Sequence, residues 1–400
     1  MESSTTSPRG GLSPFWLAAP FLAALAWKMD FLVDDAFISY RYGRHLADGH
    51  GLVWNIGETP PVEGFSNFLW TLMCAALELL GLAPELWTRL VGVACALGLV
   101  ALVARTTRRL AANDAWPARL ATLACATAAP VAVWATGGLE TMAFTLCVFG
   151  VFEALVSERG RPRTFAAALW AALGVLVRAD GFVWVAMSGV AALATAGSSE
   201  RRAMFRALVL VALVTLGMTL AYLAFRWSYF EALQPNTARI KVAFGAKYLQ
   251  RGAQYVASLC LCVLSVPLAL GGALTRFRRD VSGLALGSLV FCASAFAYLI
   301  LLGGDWMMMY RMLVPAMPFA ALALGAWLAT LASPALRLAL GSGVVLLGAL
   351  PCFDVHAVPQ NVRELAHFRW SQKFRGEFEM WAKGVVDIEN WQLDGRALGL

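Results

Sequence analysis

Apolar residues run along this chain in long blocks separated by short polar connections, instead of alternating or forming one stripe of a helix. A bilayer-spanning helix needs about 20 predominantly apolar residues. Blocks of this kind fall at 14–30, 86–104, 118–136, 140–157, 164–178, 182–197, 204–225, 254–274, 281–302, 312–331 and 335–352. The pattern therefore predicts an all-α polytopic membrane protein with about eleven transmembrane helices. The blocks at 164–178 and 182–197 are short, which tilting, partial embedding or snorkelling of Arg178 accommodates.

Composition removes the competing classes. Of 400 residues, 60% are hydrophobic and 14% charged, a balance that excludes a soluble enzyme, a secreted disulfide scaffold and a disordered chain. The net charge of +7 would suit nucleic acid, but the excess lies in short runs beside apolar blocks, where the positive-inside rule explains it. Connections carrying Arg105, Arg108 and Arg109, then Arg159, Arg161 and Arg163, Arg201 and Arg202, Arg276, Arg278 and Arg279, and Arg337 all fall on one side, read as cytoplasmic. The stretch 66–82 would invert that assignment if it crossed, so it reads as an interfacial or re-entrant helix within a first outer loop spanning 31–85. The other outer segments are 137–140, 178–181, 226–253, 303–311 and the tail 353–400. The chain thus divides into a membrane module, 1–352, and a short extracytoplasmic tail, 353–400, in a multi-pass protein of the cytoplasmic (inner) membrane.

Arg9, the apolar run after it and Ala24-Leu25-Ala26 resemble a cleavable signal peptide, but apolarity continues through Phe31-Leu32-Val33, which favours a retained first helix. The cysteines lie in or beside apolar blocks, without a CxxC pair, and read as packing residues.

The unusual polar residues collect in the outer segments. Asp34-Asp35 ends the first block and opens DDAFISYRYGRHLADGHGLVWN, which is followed by PVEGFSNFLW. Adjacent carboxylates at a membrane boundary repel each other and lose solvation, which suits one of them to accept a proton as a general base. Helix termination in water is the plainer reading of the pair. Tyr40, Arg41, His45 and Glu63 share this loop as candidates for binding an acceptor or sugar. WATGGLETMAF places Glu140 at a helix N-terminus, where a carboxylate also complements the helix dipole. VRADGFVW sets Arg178 and Asp180 between two short blocks; mutual neutralisation and binding are both open there.

Segment 226–253 is basic although it reads as outer, with Arg226, Arg239, Lys241, Lys247 and Arg251 against Glu231. A phosphate partner or anionic lipid would account for this. Gln234-Pro235-Asn236-Thr237 reads as a turn before Lys241. In LLGGDWMMMYRMLVPAMP, Asp305 and Arg311 flank an apolar centre, and Arg311 could grip phosphate oxygens. No histidine or carboxylate set has zinc spacing; a divalent ion held by the aspartate pair remains open.

Together DDAFISYRYGRHLADGHGLVWNIGE…VEGFSNFLW, TGGLET, VRADGF, QPNTARIKV and GGDWMMMYRMLVP resemble, in order over residues 30–320, the membrane-embedded glycosyltransferases of the GT-C superfamily. The resemblance is to the branch of mycobacterial terminal arabinofuranosyltransferases of cell-wall arabinan, whose extracytoplasmic C-terminal domain is larger than 353–400. It implies a polyprenyl-phosphate-linked sugar donor, a cell-envelope glycan or glycolipid acceptor, and transfer on the outer face of the membrane. It implies further that Asp34 or Asp35 deprotonates the acceptor hydroxyl, that Glu63 and Glu140 are acidic motif positions, and that Arg178, Lys241 and Arg311, with Asn236 in the same motif as Lys241, receive the lipid phosphate. The alternative is a flippase or transporter of lipid-linked sugars. Such a protein would line a path through the midplane with its charges, whereas here the carboxylates gather on one side.

Overall fold

The computed structural model describes residues 13–110, 114–156, 161–236, 245–275, 282–305 and 307–353. Lys241 and the predicted tail, apart from Phe353, lie outside the described residues. In chain order the helices are α1 (Pro14–Lys28), α2 (Ala36–Ala47), α3 (Phe68–Leu79), α4 (Pro84–Thr107), α5 (Trp116–Thr127), α6 (Ala129–Trp134), α7 (Thr141–Leu155), α8 (Thr164–Val177), α9 (Gly181–Thr195), α10 (Arg201–Phe230), α11 (Ala246–Cys262), α12 (Ser265–Thr275), α13 (Ser282–Leu302), α14 (Met317–Ala329) and α15 (Pro334–Ala349). Among the described residues there is no strand. Helix occupies every one of the predicted apolar blocks. Among the described residues five helices are long and apolar enough to cross a bilayer, or six if the bent pair α11–α12 is one span. α3, α7, α8 and α9 are apolar but run only 12, 15, 14 and 15 residues.

Two blocks read as single spans are broken in the structure, and prolines explain both breaks. Block 118–136 divides into α5 and α6 at the extended Ala128 (ψ 119°), with Pro130 in the first turn of α6. Block 254–274 divides at Val263, where α11 and α12 meet at 89°. A helical Pro267 would press its ring against the carbonyl of Val263, four residues back, so the chain turns there. The block at 312–331 begins as a 3₁₀ segment, Met308–Ala316, in which Met309 and Tyr310 take left-handed φ values of 51° and 53°. A hydrogen bond from Trp134 Nε1 to the Met309 carbonyl, at 3.2 Å, holds this segment against α6.

α10 has 30 residues, a length of about 45 Å against a hydrocarbon core of about 30 Å. Its final turns pack Tyr222, Phe225 and Phe230 on Tyr42, Leu52, Phe65 and Phe68 of the first loop. The predicted loop 226–253 consequently loses both ends to helices, Arg226 belonging to α10 and the residues from Ala246 onward to α11. Tyr229 Oη accepts the Leu52 N–H at 2.8 Å, fastening the loop to α10. Tyr229→Phe should lower thermal stability by about 0.5–1.5 kcal/mol, measured by unfolding in detergent.

α7 is buried along nearly its whole length and packs against α4, α8 and α9. Close helix approach depends on small residues, since lipid tails give apolar helices no net drive to associate. Gly92 on α4 is one such point, because a Cβ there would meet the Ala135 carbonyl. At the end of the bundle rich in arginine, Glu153 of α7 is buried and takes both oxygens to Arg105 at 2.6 Å, with Arg163 from the start of α8 on the same carboxylate. Asp114 and Arg337 pair at 2.7 Å at that end too, tying the start of α5 to α15.

Candidate active site

The segments assigned to the outer side converge at the opposite end of the bundle. Val33 donates its N–H to Gly137 at 3.3 Å, Ala179 to Ser66 at 3.1 Å, and Asn236 to Glu63 at 3.0 Å. The first loop, TGGLE, RADG and the QPN turn are therefore sewn together by backbone bonds. Gly138, at φ 78°, sits where a Cβ would strike Leu32 and the Tyr40 hydroxyl, and its carbonyl accepts Trp70 Nε1 at 3.0 Å. Only glycine meets both requirements.

Among the described residues three largely buried carboxylate–arginine groups lie in this layer, beside the more exposed pairs Arg44–Glu78 and Arg89–Asp30. In the largest, Arg178 reaches Asp180 through Nε at 2.9 Å and Glu140 through Nη1 at 3.4 Å, while Nη2 lies 2.9 Å from Met312 Sδ. Trp184 Nε1 and the Tyr298 hydroxyl also donate to Asp180, at 3.0 and 3.3 Å. The second Glu140 oxygen accepts Asn67 Nδ2 at 2.9 Å, and Asn67 Oδ1 accepts the hydroxyls of Ser39 and Thr71 at 3.2 and 3.1 Å. One polar network thus joins α2, α3, α7, the α8–α9 turn, α13 and the 3₁₀ segment.

Burial raises the pKa of Asp180, but the adjacent Arg178 charge and its hydrogen bonds outweigh that, holding the carboxyl below the usual range. The stability contributed by its ionised form is therefore present above the unfolded aspartate value, about 3.9, and is lost as pH falls through the lower folded value. Asp180→Asn should flatten the acid limb of a stability-versus-pH curve in detergent.

Glu63 forms the second group. Its buried carboxylate receives Arg226 Nε at 3.0 Å and the Tyr222 hydroxyl at 3.1 Å, and Arg226 Nη1 reaches the Leu233 carbonyl at 3.3 Å. Burial pushes the Glu63 carboxyl upward, against the pull of Arg226. Asp305 and Arg311 form the third, at 3.1 Å.

Asp34 and Asp35 occupy the turn that leads into α2, Asp34 exposed and Asp35 half-buried. Asp34 Oδ1 accepts the Asp35 N–H at 2.9 Å. The Val33–Gly137 bond fixes this turn beside the loop that ends in Glu140. Among the described residues no group of three or more His, Cys, Asp or Glu is placed to hold a metal ion.

The other predicted candidates build the first loop. Tyr40 donates to Thr88 Oγ1 at 2.7 Å, anchoring α2 on α4. Arg41 bonds the Trp54 carbonyl at 3.0 Å and lies over its ring, and His45 Nδ1 lies 2.9 Å from the Val53 carbonyl. Asn236 is drawn to Glu63 by its backbone. Asn67, Ser39, Tyr222, Tyr298 and Met312 stand outside the residues predicted from sequence, and Arg226, read as one of several loop cations, is the partner of Glu63. Asn67 lies in the quoted FSNFLW motif, where its place before an apolar run makes it look like a helix cap.

No family model matches the chain. In sequence it is similar to a terminal β-(1→2)-arabinofuranosyltransferase of Corynebacterium glutamicum, 27% identical over 376 residues that cover 78% of this chain and 52% of that protein. It is likewise similar to one of Mycobacterium tuberculosis, 29% identical over 282 residues covering 64% and 43%. The chain spans about half the length of these relatives. In fold it is similar to ArnT from Cupriavidus metallidurans bound to undecaprenyl phosphate, with TM-score 0.59 at 16% identity, covering 96% of this chain and 72% of that one. The apo form of ArnT gives 0.56 at 17% identity, with 96% and 74% covered. Sequence similarity to terminal arabinofuranosyltransferases and structural similarity to ArnT agree with the helical bundle and its polar end: this chain is an all-helical, polytopic membrane protein with the fold of ArnT.

Proposed function

We propose that this chain transfers a sugar from a polyprenyl-phosphate-linked donor to a cell-envelope glycan or glycolipid acceptor at the outer face of the cytoplasmic membrane, with Asp34 or Asp35 as general base. The observation that carries this reading is the convergence of motifs scattered over residues 30–320 on one polar network beside the water-accessible Asp34. The names of the relatives favour an arabinofuranosyl donor and a terminal β-(1→2) linkage, and the undecaprenyl phosphate bound to ArnT favours a polyprenyl phosphate carrier.

In this reading the acceptor hydroxyl loses its proton to the aspartate as its oxygen attacks the anomeric carbon, and the bond from that carbon to the phosphate oxygen breaks. The leaving lipid phosphate carries the negative charge away. Arg178 and Arg311, each held in place by a carboxylate, present their remaining N–H donors to the phosphate oxygens, assisted by Lys241 and the Asn236 turn. Fixed charges of this kind stabilise a developing anion without reorganising during the reaction. Glu63, Glu140, Asp180, Asp305, Tyr40, Arg41 and His45 shape the sugar and acceptor pocket.

The test is transfer of labelled sugar from a synthetic polyprenyl-phosphate arabinofuranose by purified protein to an arabinan fragment or envelope extract. A new glycosidic product is expected. Movement of the lipid-linked sugar across proteoliposomes without any product would replace this reading with the transporter.

A further inference from the structure

Asparagine immediately before a helix normally turns its side chain onto the exposed N–H groups of the first turn, which stabilises the helix by about 1 kcal/mol. Asn67 precedes α3 and makes no such bond. Its buried amide instead spans three elements, with Nδ2 on Glu140 before α7 at 2.9 Å and Oδ1 on the hydroxyls of Ser39 of α2 and Thr71 of α3. The two hydroxyl donors oblige the amide oxygen to face them, so the NH₂ group must face the carboxylate. One residue earlier, Ser66 takes the Ala179 N–H, next to Arg178. Ser39 lies four residues after Asp35, on the same face of α2.

We infer that Asn67 is a positioning residue for the proposed transfer reaction, an amide clip that fixes Glu140 against Arg178 and holds both in register with the helix carrying the aspartate pair. The inference rests on the transfer reading above. It accounts for the diverted cap, because a helix start that only needed stabilising would keep its bond. On the elements around Glu140, Asp180 pairs with Arg178, Arg89 of α4 with Asp30, Arg311 with Asp305, and Glu78 of α3 with Arg44. Among the described residues Arg178 is the charged partner of Glu140, and Asn67 is the neutral donor that sets its second oxygen.

The experiment compares wild type, Asn67→Ala and the double variant Ser39→Ala with Thr71→Ala as purified full-length chains, with rates taken per folded molecule and kcat and KM for the donor measured separately. Asn67→Ala should lower kcat on the order of 10- to 100-fold with donor KM changed less than about threefold, since a group aligned for the transition state is lost while binding persists. The double variant keeps the amide but frees it to rotate, and should show a smaller loss in kcat of about three- to tenfold. It also serves if Asn67→Ala does not fold. A kcat per folded molecule within twofold of wild type, in whichever variant folds, would overturn the inference and make Asn67 structural only. If wild type itself forms no glycosidic product, the transfer reading fails separately. The Asn67–Glu140 coupling is then read from a thermal double-mutant cycle with Glu140→Gln, where additive losses would also sink the clip.

Discussion

Replacing Asp34 and Asp35 one at a time with Asn should abolish most sugar transfer in at least one variant, a loss on the order of 10²–10⁴-fold, which is what a positioned general base contributes. The substitution is conservative where it needs to be. Asp34 Oδ1 accepts the Asp35 N–H at 2.9 Å, and the amide oxygen of asparagine can accept it too, so the turn into α2 is kept while the proton acceptor is lost. Rates should be measured with labelled donor under saturating acceptor, beside thermal unfolding to show that the variant is folded. Full activity in both single variants would end the assignment of the base to this pair, leaving Asp34 and Asp35 as the polar end of a helix.

The second large effect is expected at Arg178. Its side chain is mostly buried and serves Asp180, Glu140 and Met312 together. Arg178→Ala would leave the buried Glu140 and the partly buried Asp180 without a cation, and breaking a buried pair in this way costs about 3–5 kcal/mol. Arg178→Lys should retain part of the stability but lose the two-sided grip, because an ammonium is a point charge and cannot present a planar fork. We expect Arg178→Ala to be nearly inactive and strongly destabilised, and Arg178→Lys to fall between it and wild type in both measurements. An Arg178→Ala protein that unfolds with wild type would show that the network does not hold this end of the bundle together.

Much of this end was legible in the residues themselves. Apolar block lengths locate the helices, and arginine runs sort the connections into two sets. The outer segments meet one another: Val33 bonds Gly137, Ala179 bonds Ser66, and Asn236 bonds Glu63. What could not be read is which charge meets which. Glu63 and Arg226 are separated by 163 positions, and no periodicity links them; Arg226 looked like one of several loop cations because the apolar pattern thins out one turn before α10 ends. Arg178 and Arg311 read as phosphate ligands, with neutralisation by Asp180 equally open for Arg178; the fold pairs each with its neighbouring aspartate and adds to Arg178 the distant Glu140. The breaks at Ala128 and Val263 have their cause in Pro130 and Pro267, which a count of apolar residues passes over because proline is apolar as well. Asn67 escaped notice for a related reason: its position suits the ordinary cap that its side chain declines to make.

The α7–α8 hairpin is pinned at both ends, by Glu140 with Arg178 at one and Glu153 with Arg163 at the other. The two glutamates are 13 residues apart on α7, about 20 Å along the axis. Apolar helices in lipid can slide lengthwise with little change in what they touch, and nothing in their greasy surfaces measures depth. Two fixed points turn this hairpin into a ruler, since a shift of one helical turn would break both pairs together. Lengthwise sliding of α7 against α8 is therefore the motion that these two ion pairs oppose together.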